Sequence, residues 1–304
     1  CIRTIRRSSS RRRARGTVRD RRMSRVRPLD DTDPAEFARC GSLGDFLALW
    51  LRAEYLPPPL QRVFDGHYGG YKKRFPPRMR ELYASQTREL MALVQAMPGC
   101  RMLEVGAGCG TESLWAAMRG ARVLGIDIRD DRVAVARARH AVVERAIGAA
   151  LDCRFEVGSL LDAEPAGFDV VWLEQTVHHL EPRERGLARI VELLAPGGYL
   201  VVSEANASNP LLQLQLLLRR GWKPVGTLVD AAGREHPYGI ERVLRAGTLA
   251  RALERRGVRQ QSLRWFRVFP NLPVFDRLRG LEGALERPAL APLLTHYNYV
   301  GRKA

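Results

Sequence analysis

Glu104 stands two residues ahead of a run of alternating glycines, Gly106, Gly108 and Gly110, and Asp127 closes the next apolar stretch. Glycine tolerates positive φ and lets a ligand approach the backbone. The residues behind the loop, Thr111 to about Arg119, read as a helix, whose start offers free N–H groups and a positive dipole end. Such a loop suits a carboxylate or a phosphate. Spacing separates the ligand classes. A dinucleotide loop runs G-x-G-x-x-G, whereas here the glycines fall as G-x-G-x-G and Thr111 takes the place of the third glycine. A carboxylate at position 104 opposes a pyrophosphate and suits an ammonium. Asp127 can accept hydrogen bonds from both hydroxyls of a ribose. A second group, Glu174-Gln-Thr-Val-His178-His179, follows an apolar run. A histidine there either takes a proton near neutral pH or packs the turn.

The elements that must position these residues alternate between short apolar runs and helical patterns. Met102, Leu103 and Val105 bracket Glu104 in a first strand, and 123–128 forms the second. A helix over 130–147 follows, with Arg132, Arg137, Arg139 and Arg145 on an expected solvated face. Strands are expected at 154–157, 168–174, 199–204, 259–269 and 295–300, with helices over 183–194 and 247–256. The run at 168–174 is apolar, as a central parallel strand should be. In such a sheet ligands sit beyond the carboxyl ends of the strands. Upstream, a helix over 45–55 stops at three prolines, 64–75 reads as a loop, and a long helix runs from Pro76 to Met97.

With that order of elements, Glu104, the glycine loop and Asp127 resemble motif I and the second-strand acid of class I S-adenosylmethionine (SAM)-dependent methyltransferases. The stretch Glu174–Leu180 and the later Leu194-Ala-Pro-Gly-Gly198 are similar to those of the ubiquinone- and menaquinone-biosynthesis small-molecule enzymes. The resemblance implies an α/β fold: a Rossmann-like, doubly wound, seven-stranded sheet, mostly parallel with the last strand antiparallel, under an N-terminal helical cap. It implies SAM held by Glu104, Gly106, Ala107, Gly108, Gly110, Asp127, Ile128, Ser159, Leu160 and Glu174. It implies methyl transfer to a small molecule by in-line displacement, with His179 and His178 as catalytic candidates. The family often carries an Asp after the third strand; this chain has Gly158-Ser159-Leu160 there. His67, Tyr68 and Tyr71 are expected to be surface anchors, with acceptor contact as the alternative. Glu204, Asn206 and Asn209 are candidates for acceptor polar groups, with a turn and helix cap as the alternative for the two asparagines. The stretch 210–220, apolar over 211–218, is expected to be a buried or lid helix beside the acceptor.

The net charge of +17 over 304 residues is mostly a tail, because residues 1–28 hold 12 Arg against Asp20 and so carry +11. That leaves +6 for the rest. The chain divides into the Arg-rich tail 1–28, expected to be disordered over 1–22 with a natural start at Met23, a helical cap over 29–97 and a methyltransferase domain over 98–304. Helical insertions are expected at 207–240 and 270–294. A nucleic-acid methyltransferase is the main alternative, but its amino-directed members carry Asn/Asp-Pro-Pro-aromatic where this chain has Glu174-Gln-Thr-Val177. A non-catalytic binding module is the other. The five cysteines form no CxxC pair and no zinc spacing, which points to no metal and to a reducing, cytoplasmic setting. No stretch reaches the roughly 20 apolar residues of a membrane span. Cys109, inside the loop, is a candidate for inhibition by alkylation.

Overall fold

The computed structural model describes residues 36–37, 39–164, 167–230 and 233–304. The tail over 1–28, its expected disorder and the start at Met23 lie outside the described residues. Among the described residues nine strands follow in chain order: β1 Arg101–Val105, β2 Arg122–Asp127, β3 Cys153–Val157, β4 Phe168–Glu174, β5 Leu194–Ala205, β6 Val225–Val229, β7 Glu235–Gly239, β8 Val258–Phe266 and β9 His296–Lys303. Seven form one sheet in the order β3-β2-β1-β4-β5-β9-β8, and β6 and β7 form a separate hairpin. β1 pairs in parallel with β2 and β4, and β4 with β5, while β9 runs antiparallel between β5 and β8. This is the expected sheet.

The order reverses direction between β1 and β4, which opens a crevice at their carboxyl ends. β4 is covered on both faces, so Val170, Val171, Trp172 and Leu173 are all buried rather than alternating. One face of the sheet packs Met102 and Trp172 against Phe46, Trp50 and Trp115. The other packs Leu103 and Leu173 against Leu187, Ile190 and Leu249.

Among the described residues, the helices with full bounds before β1 are Leu43–Arg52, Pro58–His67, Gly69–Lys73, Pro77–Gln86 and Arg88–Ala96. Two expectations change here. Most of the stretch 64–75 is helical, not loop. The long helix breaks at Thr87, whose hydroxyl donates to the Ala84 carbonyl at 3.1 Å and competes with the helix ladder. The cap is fastened to the segment after β8. Arg78 pairs with Glu282 at 2.9 Å, with both side chains buried, and Arg264 on β8 pairs with Glu89 at 2.6 Å. The insertion over 207–240, expected to be helical, holds the helix Pro210–Arg220 and then the β6–β7 hairpin.

The helix Asp130–Ile147 corrects a third expectation. Arg139 is fully buried. It lies three or four residues from Val135, Ala136, Val142 and Val143, so it sits inside the apolar stripe of its helix. Its guanidinium lies 4.4 Å from the Trp50 ring and 5.0 Å from that of Phe64, an arrangement that stabilises a desolvated cation.

Candidate active site

A cavity of about 550 Å³ opens at the carboxyl ends of β1, β2 and β4. Its floor is the glycine loop, and the loop is tied down from within the protein. Gly106 and Ala107 donate to the Ile126 carbonyl at 2.8 and 3.0 Å, Gly108 donates to Asp127 Oδ2 at 2.9 Å, and Gly110 donates to Ala107 at 2.8 Å. These loop N–H groups are therefore spent within the protein. Gly106 and Gly108 have φ of 76° and 52°. A Cβ at Gly106 would meet the Thr176 hydroxyl at 2.5 Å, and one at Gly108 would meet the His67 ring at 3.2 Å.

Arg139 holds the loop from below. Its Nη1 donates to the Cys109 carbonyl at 2.6 Å and to the Thr111 hydroxyl at 2.7 Å. Tyr68 from the cap bonds the same hydroxyl at 2.6 Å. The Cys109 thiol is buried, and burial pushes its pKa up to about 12. It is a packed thiol and not a reactive one, which removes the expectation of alkylation.

Five carboxylates line the cavity: Asp127, Glu181, and the three of Glu104 on β1, Glu112 on the helix Thr111–Ala117 and Glu174 at the end of β4. The last three form one acidic group. Glu104 accepts from Ser113, Glu112 from Tyr83 and Glu174 from Gln86. None is paired with Lys or Arg among the described residues. Burial raises the proton affinity of all three, and the Glu112 charge adds to the effect on Glu104 and Glu174. A cation placed among them would relieve that cost. Asp127 Oδ1 accepts from Arg129 N at 2.8 Å, and each carboxylate oxygen retains a second lone pair on the cavity. Gln175 lines the cavity with a φ of 47°, and its buried Nε2 has no partner. A strained residue with an orphaned donor marks a ligand wall.

The two histidines, adjacent in sequence, do different things. His178 is buried, and its Nδ1 lies 2.7 Å from Glu204 Oε2. Burial alone would lower its pKa, but the Glu204 carboxylate outweighs burial and raises it, while Glu204 is lowered in return by His178. His178 does not line the cavity. His179 does. Its Nδ1 lies 2.8 Å from the Gly239 carbonyl, which accepts only, so that nitrogen carries the proton. Its Nε2 then accepts from the Tyr238 hydroxyl at 2.9 Å, and the two rings stack at 4.3 Å. Burial lowers its pKa to about 4, and the charge on His178 adds to this. Both ring nitrogens of His179 are thus engaged in holding the hairpin.

Of the residues expected to hold SAM, Glu104, Gly106, Ala107, Gly108, Asp127, Ile128, Ser159, Leu160 and Glu174 line the cavity, and Gly110 does not. A Cβ at Gly110 would meet the Phe155 ring at 2.7 Å, so this glycine serves packing. His67, Tyr68 and Tyr71, expected to be surface anchors, line the cavity. Asn206 and Asn209 turn elsewhere. Their side-chain amides donate to the carbonyls of Leu294 and Leu293 at 2.9 Å each. Glu112, Tyr83, Gln175 and Arg132 were missed; the acid at 112 is visible in the sequence but sits in a helical pattern that gives it no signal.

The arrangement fits SAM and opposes a dinucleotide. Spent loop donors and three unpaired carboxylates repel a pyrophosphate and attract a ligand bearing an ammonium and a sulfonium. A family model described as a methyltransferase domain matches residues 103–200. A ubiquinone biosynthesis O-methyltransferase of Chelativorans sp. is 30% identical over 165 residues, covering 53% of this chain and 59% of the relative. The chain thus spans little more than half the length of such relatives. An S-adenosyl-L-methionine-dependent Diels-Alderase of Talaromyces variabilis is 31% identical over 209 residues, covering 64% of this chain and 69% of the relative. A solved structure described as a sarcosine dimethylglycine methyltransferase from Galdieria sulphuraria shares the fold at a TM-score of 0.55, with 14% identity, 81% of this chain and 98% of that one. Sheet order, cavity chemistry and these matches agree: the chain belongs to the class I S-adenosylmethionine-dependent methyltransferases.

Proposed function

We propose that this chain transfers the methyl group of SAM to a small-molecule acceptor bound in the same cavity, and that it does so in a reducing, cytoplasmic compartment. One observation carries the reading: three carboxylates with no Lys or Arg partner among the described residues, two of them buried, converge with the glycine loop and Asp127 on one cavity at the switch point of the sheet. Glu104 and Glu112 hold the amino-acid ammonium. Asp127 accepts from the ribose hydroxyls. Ile128, Ser159 and Leu160 flank the adenine, where a neutral Ser159 makes a weaker contact than a carboxylate would. Its own hydroxyl already accepts from Leu161 N at 3.2 Å. SAM supplies an electrophilic methyl on a positive sulfur, with a neutral thioether as leaving group. Glu174 faces that positive charge.

The acceptor side is built from Tyr68, Tyr71 and Tyr83 of the cap and from Leu228, His236 and Tyr238 of the hairpin. This polar-aromatic wall holds a small molecule, and the acids beside it repel a nucleic-acid backbone. The chain's residues align the reactants rather than move protons. His178 is locked to Glu204, and His179 has no free nitrogen. Holding an acceptor in near-attack geometry is itself worth several orders of magnitude in rate. Four buried free cysteines, Cys40, Cys100, Cys109 and Cys153, fit a reducing setting, and no helix among the described residues is long and apolar enough to cross a membrane.

A second reading has its own support. The Diels-Alderase relative is matched over more of its own length than the ubiquinone O-methyltransferase, and a cavity that aligns without a base also suits ring closure. Phenolic, amine and conjugated-diene acceptors incubated with the protein and SAM separate the two. Methyl transfer releases S-adenosylhomocysteine in step with methylated product. Product formation without S-adenosylhomocysteine would replace the first reading with the second.

A further inference from the structure

Among the described residues eleven large apolar side chains are exposed, and six of them fall within 211–229. Scattered exposed apolar residues are ordinary, but a concentration marks a contact surface. Leu211, Leu214 and Leu218 are three and seven residues apart on the helix Pro210–Arg220, so they share one face. They are 76%, 55% and 78% exposed, while Leu216 is buried. Of the two expectations for this helix, buried or lid, burial does not hold: its leucine stripe turns outward. Trp222 follows at 89% exposed, and β6 continues the pattern by alternation. Val225 and Val229 point out, while Leu228 between them lines the cavity. The hairpin is a wall one strand-layer thick between the cavity and this outer face.

The placement adds a second argument. β5 and β8 both run antiparallel to β9, so their carboxyl ends share an edge with those of β1 and β4. The segments leaving that edge, 207–240 and 270–294, carry ten of the eleven exposed residues, and Asn206 and Asn209 tie one segment to the other. The apolar surface therefore crowns the mouth end of the molecule. Two cations, Arg219 and Lys223, are exposed beside the leucines and Trp222, against one exposed acid, Glu235, opposite Val229 in the hairpin. A second copy would bring the same cations against each other across a two-fold contact. A leucine and tryptophan face with a cationic margin fits an anionic lipid surface.

We propose that Leu211, Leu214, Leu218, Trp222, Val225 and Val229 form a face that docks on an anionic membrane surface, without spanning it, and seats the cavity mouth against the lipid. The proposal stands whether or not the cavity transfers methyl groups. The test is sedimentation of the full chain with vesicles of phosphatidylcholine alone or mixed with phosphatidylglycerol, together with tryptophan emission. The full chain is expected to bind the mixed vesicles, with a blue shift that Trp222→Phe abolishes. Leu214→Glu/Leu218→Glu is expected to weaken binding by about tenfold or more, with SAM affinity unchanged. Equal binding by the double variant would overturn the proposal, since the Arg-rich tail would then account for it. So would a blue shift that survives Trp222→Phe. A wild-type dimer that the double variant converts to monomer, with no vesicle binding, would assign the face to a second copy instead.

Discussion

The two walls of the cavity are built on different principles. The donor wall is made of strand ends and one tight loop, all between Glu104 and Glu174, and it is held by backbone hydrogen bonds to Ile126 and Asp127. The acceptor wall brings Tyr68, Tyr71 and Tyr83 together with Tyr238, which lies more than 150 residues away in the chain, and it is held by side chains. The donor wall carries Glu104, Glu112 and Glu174, none paired with Lys or Arg among the described residues although Arg129 and Arg132 also line the cavity, whereas the acceptor wall is aromatic. A wall fixed by local backbone geometry can be shared by a whole family. A wall assembled from insertions can change its ligand without disturbing the sheet.

Arg139 is where the two walls meet, so its loss should have the largest effect. Arg139→Met removes two hydrogen bonds to a buried charged group, each worth roughly 1.5–3 kcal/mol, and leaves the Cys109 carbonyl without that donor. Urea unfolding should show a loss of about 3 kcal/mol or more, accompanied by weaker SAM binding. A variant of unchanged stability would mean that the loop and cap are held independently.

The walls should also titrate in opposite senses. Glu104, Glu112 and Glu174 are raised in the folded protein by burial. The folded state therefore holds protons that the unfolded state has released, and stability falls as pH rises above the ordinary carboxylate range. His178, raised against its burial by Glu204, acts in the same direction. His67 and His179 are lowered to about 4 by burial. They cost stability only as pH drops from about 6.5 towards 4, where the unfolded state takes protons first. Between pH 6.5 and 8 the raised carboxylates and His178 act together, and His67 and His179 no longer contribute. The Tm should fall over that interval, and either bound SAM or Glu174→Gln should flatten the slope. A slope unchanged in Glu174→Gln would remove that residue from the account.

The smallest effect belongs to the hairpin latch. Tyr238→Phe keeps the ring stack on His179 and loses one neutral hydrogen bond. The cost should be about 1 kcal/mol, with SAM affinity unchanged and acceptor affinity reduced. A loss of SAM affinity in this variant would show that the two walls are not separable.

The same contrast governs what the sequence makes legible. Glu104, the glycine loop, Asp127 and the strand order are readable because spacing along a strand and its turn fixes their geometry. Gly110 is misread because a packing contact with Phe155 and a ligand contact select the same residue. Arg139 reads as surface by residue type, although its neighbours at three and four residues mark it as core. The hairpin at 225–239 is hidden because Gly226 and Pro237 dilute the alternation of its strands. His178 and His179 cannot be told apart by pattern. Their roles follow from Glu204 and Gly239, which meet them only in the folded chain.

The central claim is that the donor wall binds SAM through Asp127 beside the acidic pocket. Isothermal titration of SAM into the full chain and into Asp127→Ala, each shown to be folded by its unfolding curve, tests it most directly. A lost charge-assisted hydrogen bond of roughly 1.5–3 kcal/mol corresponds to a tenfold or greater loss of affinity, and that is the predicted result. Equal affinities in the two proteins, or no SAM binding by the folded wild type, would contradict the claim.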